Sequence, residues 1–295
     1  MVAGGGVARD RSCGTRSTIA DIDPLGAAIR LVGFVSPRIR ARLYLWRQKS
    51  EGEFAPRVAE ELAPVGGVAL DIGARWGTYT CLLARLVGPG GLVHTFEPNP
   101  QHSKALRAIA RSSQNVEFHP FALSDETGSA ALHIPVVDDR AYDGLASLAR
   151  PKGAHRTLQI ERRRLDDLAF ERVDFIKCDV EGHELAVFRG GEATLRRLQP
   201  IVLVEVEQRH TGVDVEATLA WFEVLGYSSY AVHRDGLRPA AEFDVERDQF
   251  AVLRRKPASG WTMPSGYVNE FLFVPPGADV ARLVAAKPML PARTG

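Results

Sequence analysis

The chain has 295 residues, 45% of them hydrophobic and 25% charged, which is enough to bury one sizeable core with an appendage. A formal net charge of +1 removes any global case for nucleic acid, and no apolar run reaches transmembrane length. Cys13, Cys81 and Cys178 form neither a ligand nor a disulfide spacing; Cys81 and Cys178 read as packed thiols, and a reducing cytosol is the default.

Residues 1–18, rich in Gly, Arg and Ser, read as a disordered tail, and no apolar h-region marks a signal peptide. The first fifty residues hold nine Lys/Arg against three Asp/Glu, which leaves 28 of the 37 basic and 33 of the 36 acidic side chains to the rest. Residues 19–64 form a helical extension, with Leu25, Ile29, Leu31, Val32 and Phe34 apolar. The run Arg38-Ile-Arg-Ala-Arg-Leu-Tyr-Leu-Trp-Arg47 reads as a helix with a solvated arginine face that caps the sheet; peripheral membrane contact is the other reading.

From Val65 onward, strands and helices alternate as βαβ units do. Val68, Ala69, Leu70 and Ile72 form a buried strand with Asp71 near its carboxyl end, facing a crevice, and Gly73 and Gly77 open the helix that runs from about Trp76 to Val87. Some twenty residues after Gly77, the strand Leu92–Phe96 ends in Glu97, whose carboxylate suits the two hydroxyls of an adenosine ribose. A dinucleotide site wants G-x-G-x-x-G; this chain has D-x-G-x-x-x-G. A carboxylate at Asp71 repels pyrophosphate but suits the ammonium of a methionyl group, so S-adenosylmethionine fits these charges better than NAD. Asn99 and Pro100 start the next helix as N-cap and first residue, which leaves Asn99 a modest cofactor candidate. The third strand, Val116 to Phe121, runs into Ala122 and Leu123, whose backbone can meet the adenine.

Residues 129–165 break the alternation: hairpin-like strands at Ser129–Ile134 and Thr157–Arg162 bracket a polar loop with Asp138, Asp139, Arg140 and Tyr142, placed over the carboxyl edge of the sheet. The fourth strand, Val173 to Asp179, leads into Glu181, His183 and Glu184. Methyl transfer needs alignment and the removal of one proton, so Asp179 is the candidate for orienting cofactor or acceptor, and Glu181 and His183 are base candidates, with His183 favoured. Glu205, an acid inside the strand Ile201–Val206, is a further site candidate because burying it is costly unless it is paired. Asp179, Glu205 and His210 together can hold a divalent cation, yet their spread gives no ligand spacing, and no metal is assigned. His94 and His119 fall in strands and read as packed or surface side chains. A helix from Asp214 to Leu225 and strands at Tyr227–Val232 and Asn269–Val274 follow, separated by a polar excursion, 233–267, in which Trp261 and Tyr267 anchor a loop. From residue 277 the chain reads as a tail with little to pack.

Asp71-Ile-Gly-Ala74, Phe96-Glu-Pro-Asn-Pro100, Phe121-Ala-Leu-Ser-Asp125, Lys177-Cys-Asp-Val-Glu-Gly-His-Glu184 and Ile201-Val-Leu-Val-Glu205 resemble, in order, the motif series of FkbM-type methyltransferases, over roughly Val65 to Val274. The resemblance implies S-adenosylmethionine as cofactor and a hydroxyl of a sugar or natural product as acceptor. It also implies a class I, Rossmann-like α/β fold: a doubly wound, mostly parallel seven-stranded sheet in the order 3-2-1-4-5-7-6. The family carries Asn where this chain has Arg75, a longer cation that can meet the methionyl carboxylate.

The expectation is therefore a methyltransferase domain over 65–276. Asp71, Gly73, Ala74, Arg75, Gly77, Glu97, Asn99, Ala122, Leu123 and Asp179 hold the cofactor, and Asp179, Glu181, His183 and Glu205 serve the chemistry on a small-molecule or glycan acceptor. The rival readings are a nicotinamide-dependent oxidoreductase, disfavoured by the missing third glycine, and a scaffold that binds cofactor without catalysis.

Overall fold

The computed structural model describes residues 24–137, 140–210, 213–255 and 264–284. The N-terminal tail, Asp138, Asp139 and Trp261 lie outside them.

Three helices come first: α1 (Pro24–Val35), α2 (Pro37–Ser50) and α3 (Ala55–Leu62). The alternating part follows with β1 (Val68–Ile72), α4 (Thr78–Val87), β2 (Leu92–Phe96), α5 (Pro100–Arg111) and β3 (Val116–His119). An insertion contains β4 (Ala122–Leu123), β5 (Gly128–Val137), β6 (Arg140–Ala141) and β7 (His155–Arg163). The chain then resumes with β8 (Phe175–Cys178), α6 (Glu184–Arg189), α7 (Glu192–Leu198), β9 (Ile201–Glu205), α8 (Val215–Val224), β10 (Ser228–His233), β11 (Gly236–Pro239), α9 (Ala251–Arg255), β12 (Glu270–Val274) and α10 (Ala281–Val284).

The main sheet runs β11-β10-β12-β9-β8-β1-β2-β3. Without β11 this is the expected 3-2-1-4-5-7-6 order, and β12 is antiparallel to both neighbours. The sheet has eight strands rather than seven, because Arg234–Asp235 turns the chain back and pairs β11 antiparallel to β10. Gly-Leu-Arg-Pro offers little strand signal, and its proline suits an edge position, so the sequence alone reads it as loop.

The central parallel strands are buried on both faces, which explains their apolar runs. One core layer packs Leu70, Phe96, Ile176, Phe188, Val204 and Phe273 on one side; the other packs Val58, Leu82, Leu83, Phe175 and Leu203. Local chemistry starts the helices where the sequence suggests. The Asn99 side chain accepts from Gln101 N–H ahead of Pro100, and Asp214 accepts from Ala217 N–H. Asp166 receives Thr194 N–H and Ala193 N–H, which docks α7.

The arginine-rich helix α2 turns several cations onto the protein. Arg40 is buried over the Trp76 ring at 4.3 Å, Arg38 donates to Ser112 O at 3.0 Å, and Arg47 pairs with Glu51 at 2.8 Å. The C-terminal segment also differs from expectation: Val280 and Leu283 are buried in the core, so the chain packs well past residue 277. No helix of the described residues is long and apolar enough to cross a membrane.

Candidate active site

A crevice enclosing roughly 650 Å³, solvent mouth included, opens along the carboxyl ends of β1, β2 and β8. It lies where the strand order reverses, as ligand sites in open α/β sheets do. Its floor is set by a close approach of two strand ends. Asp179 N–H donates to Ile72 O at 2.9 Å, and a Cβ built on Gly73 would stand 1.8 Å from Asp179 O. Gly73 also has φ +82°, so no other residue fits there.

The β1–β2 bank is held by backbone amides. Gly73 and Ala74 N–H donate to Phe96 O at 3.0 and 3.1 Å. Glu97, 6% exposed, accepts from Arg75 N–H and Asn99 N–H, each at 2.8 Å. Each carboxylate oxygen keeps further acceptor capacity, and Glu97 lines the crevice. The walls beyond are apolar: Phe96, Ala122, Leu123 and Leu132. The insertion closes the roof, and its 143–148 turn lies so near Arg75 that a side chain at Gly144 would collide with the guanidinium.

Of the expected cofactor residues, Gly73, Arg75, Glu97, Ala122, Leu123 and Asp179 line this crevice. Four others do not. Ala74 and Gly77 are turn residues, Gly77 packing against Ile109, and Asn99 is fully buried as the α5 cap. Asp71 is the larger departure: it was expected to face the crevice, but its carboxylate is buried on the α4 side and accepts from Thr80 Oγ1. Burial, only partly offset by Thr80 and Lys177, raises its pKa to about 6. Strand alternation is the reason, since Ile72 takes the other face.

The β8–β9 bank is crowded with acids. Glu181, held at φ +54° by the turn before Gly182, lines the crevice, and its Oε2 lies 3.3 Å from His210 Nε2. His210 Nε2 is also 3.8 Å from Glu207 Oε1. Glu207, 1% exposed on its side chain, accepts from Arg209 and from the Tyr267 hydroxyl at 2.5 Å. Burial alone would raise Glu207, but the hydrogen bonds from His210, Arg209 and Tyr267 hold it well below the ordinary carboxylate range. Burial, with Asp179 and Glu207 nearby, pushes Glu181 well above that range against the opposing charges of Arg75 and Arg209.

His183 lines the crevice too, with its Nε2 2.9 Å from Ser124 Oγ. Burial lowers its pKa, partly offset by Asp125. Glu205 does not line the crevice. It accepts from Asn269 Nδ2 at 2.7 Å, opposite Glu270 on β12, and burial followed by Asp179 and Glu207 raises it well above the usual range. His210 turns to Glu181 and Glu207, so Asp179, Glu205 and His210 are not gathered into one ligand set. The insertion lies over the carboxyl edge as the sequence suggests, whereas the gathering of Glu181, His210 and Glu207 has no local pattern.

The residues fit the group that their sequence implies. Apolar walls suit a flat base, Glu97 suits a diol, and Asp179 and Glu181 suit a sulfonium cation beside them. A model of the methyltransferase FkbM domain matches residues 71–229. The chain belongs to this methyltransferase family, and S-adenosylmethionine is the cofactor that the domain takes. Among curated proteins it is 30% identical over 145 residues to the 2-O-methyltransferase NoeI of Sinorhizobium fredii (strain NBRC 101917 / NGR234), a match covering 44% of this chain and 59% of that relative. Solved structures include methyltransferase FkbM from Methylobacillus flagellatus KT, at 14% identity, covering 85% of this chain and 59% of that one, TM-score 0.45. Another is the O-methyltransferase from Bacillus cereus in complex with SAH, at 16% identity, covering 84% and 96%, TM-score 0.42.

Proposed function

We propose that this FkbM-family domain transfers a methyl group to a hydroxyl oxygen of a sugar, glycan or natural-product acceptor, with Glu181 as the general base. The supporting observation is the cluster in which Glu181 meets the crevice with its Oε2 3.3 Å from His210 Nε2, the same nitrogen that lies 3.8 Å from Glu207 Oε1. A bound S-adenosylmethionine supplies a methyl group already activated on sulfonium, so the chain's own work is to align the acceptor and take its proton. Glu97 takes the ribose hydroxyls, Ala122 and Leu123 flank the adenine, and Arg75 meets the methionyl carboxylate in place of the turn amides, which Phe96 O and Glu97 already occupy. Asp179 orients the cofactor's reactive end.

Between the two base candidates, the hydrogen bonds favour Glu181. Ser124 Oγ donates to Asp125, so it accepts from His183, whose Nε2 then carries its proton and leaves only Nδ1 with a lone pair. Glu181, with its pKa raised, is a stronger base once ionised. NoeI is named a 2-O-methyltransferase, which is in keeping with a hydroxyl acceptor. A reducing cytosol suits the free thiols of Cys81 and Cys178. The test is mass spectrometry of candidate glycans and natural products incubated with protein and S-adenosylmethionine. Gain of one methyl on a hydroxyl supports the proposal; methylation only at nitrogen or carbon overturns it.

A further inference from the structure

Away from the crevice, three side chains with metal-ligand chemistry converge on the β2–β3 edge of the main sheet. His94 on β2 is the register partner of Glu117 on β3, and His119 follows two residues later on the same face. Parallel pairing thus puts one imidazole opposite a carboxylate and a second on the diagonal, side by side. His94 Nδ1 lies 3.1 Å from His119 Nε2 and 3.3 Å from Glu117 Oε2, and one donor atom from each residue falls within 4.8 Å of the others. In a tetrahedral site with bonds of about 2.0–2.2 Å, neighbouring donor atoms stand about 3.3 Å apart. The two separations from His94 already match such edges, and the third pair lies within 4.8 Å.

The rings are held in place. His119 stacks on Phe96 with centroids 4.6 Å apart and packs beside Phe121 at 5.6 Å, while His94 packs against Phe170 at 4.6 Å. Glu117 is 57% exposed on its side chain and provides the solvent-facing entry. We propose that His94, Glu117 and His119 form a binding site for a first-row divalent cation of the zinc type, with a fourth position open to water. Two imidazoles and one carboxylate suit such a borderline cation and do not suit magnesium or calcium, which take oxygen ligands.

Two further features bear on the site. The nearby cation Arg163 opposes a metal, but its guanidinium sits over Phe121 and is engaged by Glu161 at 2.5 Å. The site is also joined to the crevice: Glu97 N–H donates to His119 O at 3.2 Å, and Phe96, stacked on His119, lines the crevice wall. Occupancy would clamp the strand ends that carry Glu97.

The test uses the untagged full chain, stripped with chelator and desalted, and titrated calorimetrically with zinc chloride and with magnesium chloride. The expected result is one saturable zinc site per chain and no magnesium site. Glu117→Gln and His119→Ala should each weaken zinc by more than about tenfold. Zinc should raise the melting temperature of the parent chain and leave that of His119→Ala unmoved. Glu117 is exposed, so its variant should keep the parental circular dichroism even where His119→Ala does not fold, and it decides the matter alone. Absence of saturable zinc binding would mean that the three side chains form only a neutral hydrogen-bonded cluster, and would overturn the proposal. Unchanged affinity in Glu117→Gln would do the same.

Discussion

On the β1–β2 bank of the crevice, Glu97 has two backbone N–H donors at 2.8 Å, fixed by a glycine turn and a helix cap. On the β8–β9 bank, Asp179, Glu181, Glu205 and Glu207 crowd together, and Glu181 and Glu205 are pushed above the usual carboxylate range while Glu207 is held below it. The first bank is an arrangement for binding: charge satisfied by fixed donors that cost nothing to reorganise. The second is an arrangement for proton chemistry: neighbouring acids whose environments drive their proton affinities apart. Lys177, beneath this bank, shows the same pressure. Burial alone would lower its pKa, but Glu270, Asp179 and Glu205 together hold it above the ordinary lysine range.

Four substitutions sharpen that contrast, beginning with the joint between the banks. Gly73→Ala forces a methyl into Asp179 O at a left-handed φ and should cost about 4 kcal/mol or more in denaturant unfolding. A cost below about 1 kcal/mol would show that the two strand ends are not locked. Glu181→Gln should lower kcat by about 10²–10⁴-fold while leaving S-adenosylhomocysteine affinity within about twofold. In the parent, the rate should climb with pH only above the usual carboxylate range if the proposed base, Glu181, ionises from a raised pKa, and that limb should vanish in the variant. Asp71→Asn tests burial on the first bank. The acid's folded pKa, about 6, exceeds its ordinary 3.8, so its contribution to stability is full below 3.8 and is lost as pH rises through 6. The variant should therefore gain on the parent by about 2–3 kcal/mol between pH 4 and pH 7. A constant difference across that range would contradict the burial account. His210→Gln, the smallest effect, should lower kcat by about tenfold and move the pH limb without changing cofactor affinity, as a positioning residue does. An unmoved limb would separate His210 from Glu181.

The sequence shows the first bank better than the second, and the reason is locality. The β1 turn, Glu97 and the Asn99 cap all lie within thirty residues, and their roles follow from strand, turn and helix chemistry. Even there Asp71 faces α4 rather than the crevice, because period two decides orientation and the motif alone does not. The second bank depends on where loops return. Tyr267 reaches Glu207, and Gln249 ties Gln208 N–H to the carbonyls of Val206 and Val268, over separations no local pattern encodes. His94 and His119 give no signal of their own in the sequence, since only the β2–β3 register brings them together. The strand β11 was missed because a single apolar side chain and a proline give no alternation.

The central claim is that an adenosine-bearing sulfonium cofactor is held on the first bank by Glu97 and consumed on the second. Calorimetric titration of S-adenosylhomocysteine into the parent, Glu97→Gln and Glu181→Gln tests it most directly. Tight binding to the parent and to Glu181→Gln, with affinity for Glu97→Gln reduced by more than about tenfold, is the result predicted. Equal affinity for the parent and Glu97→Gln would contradict it.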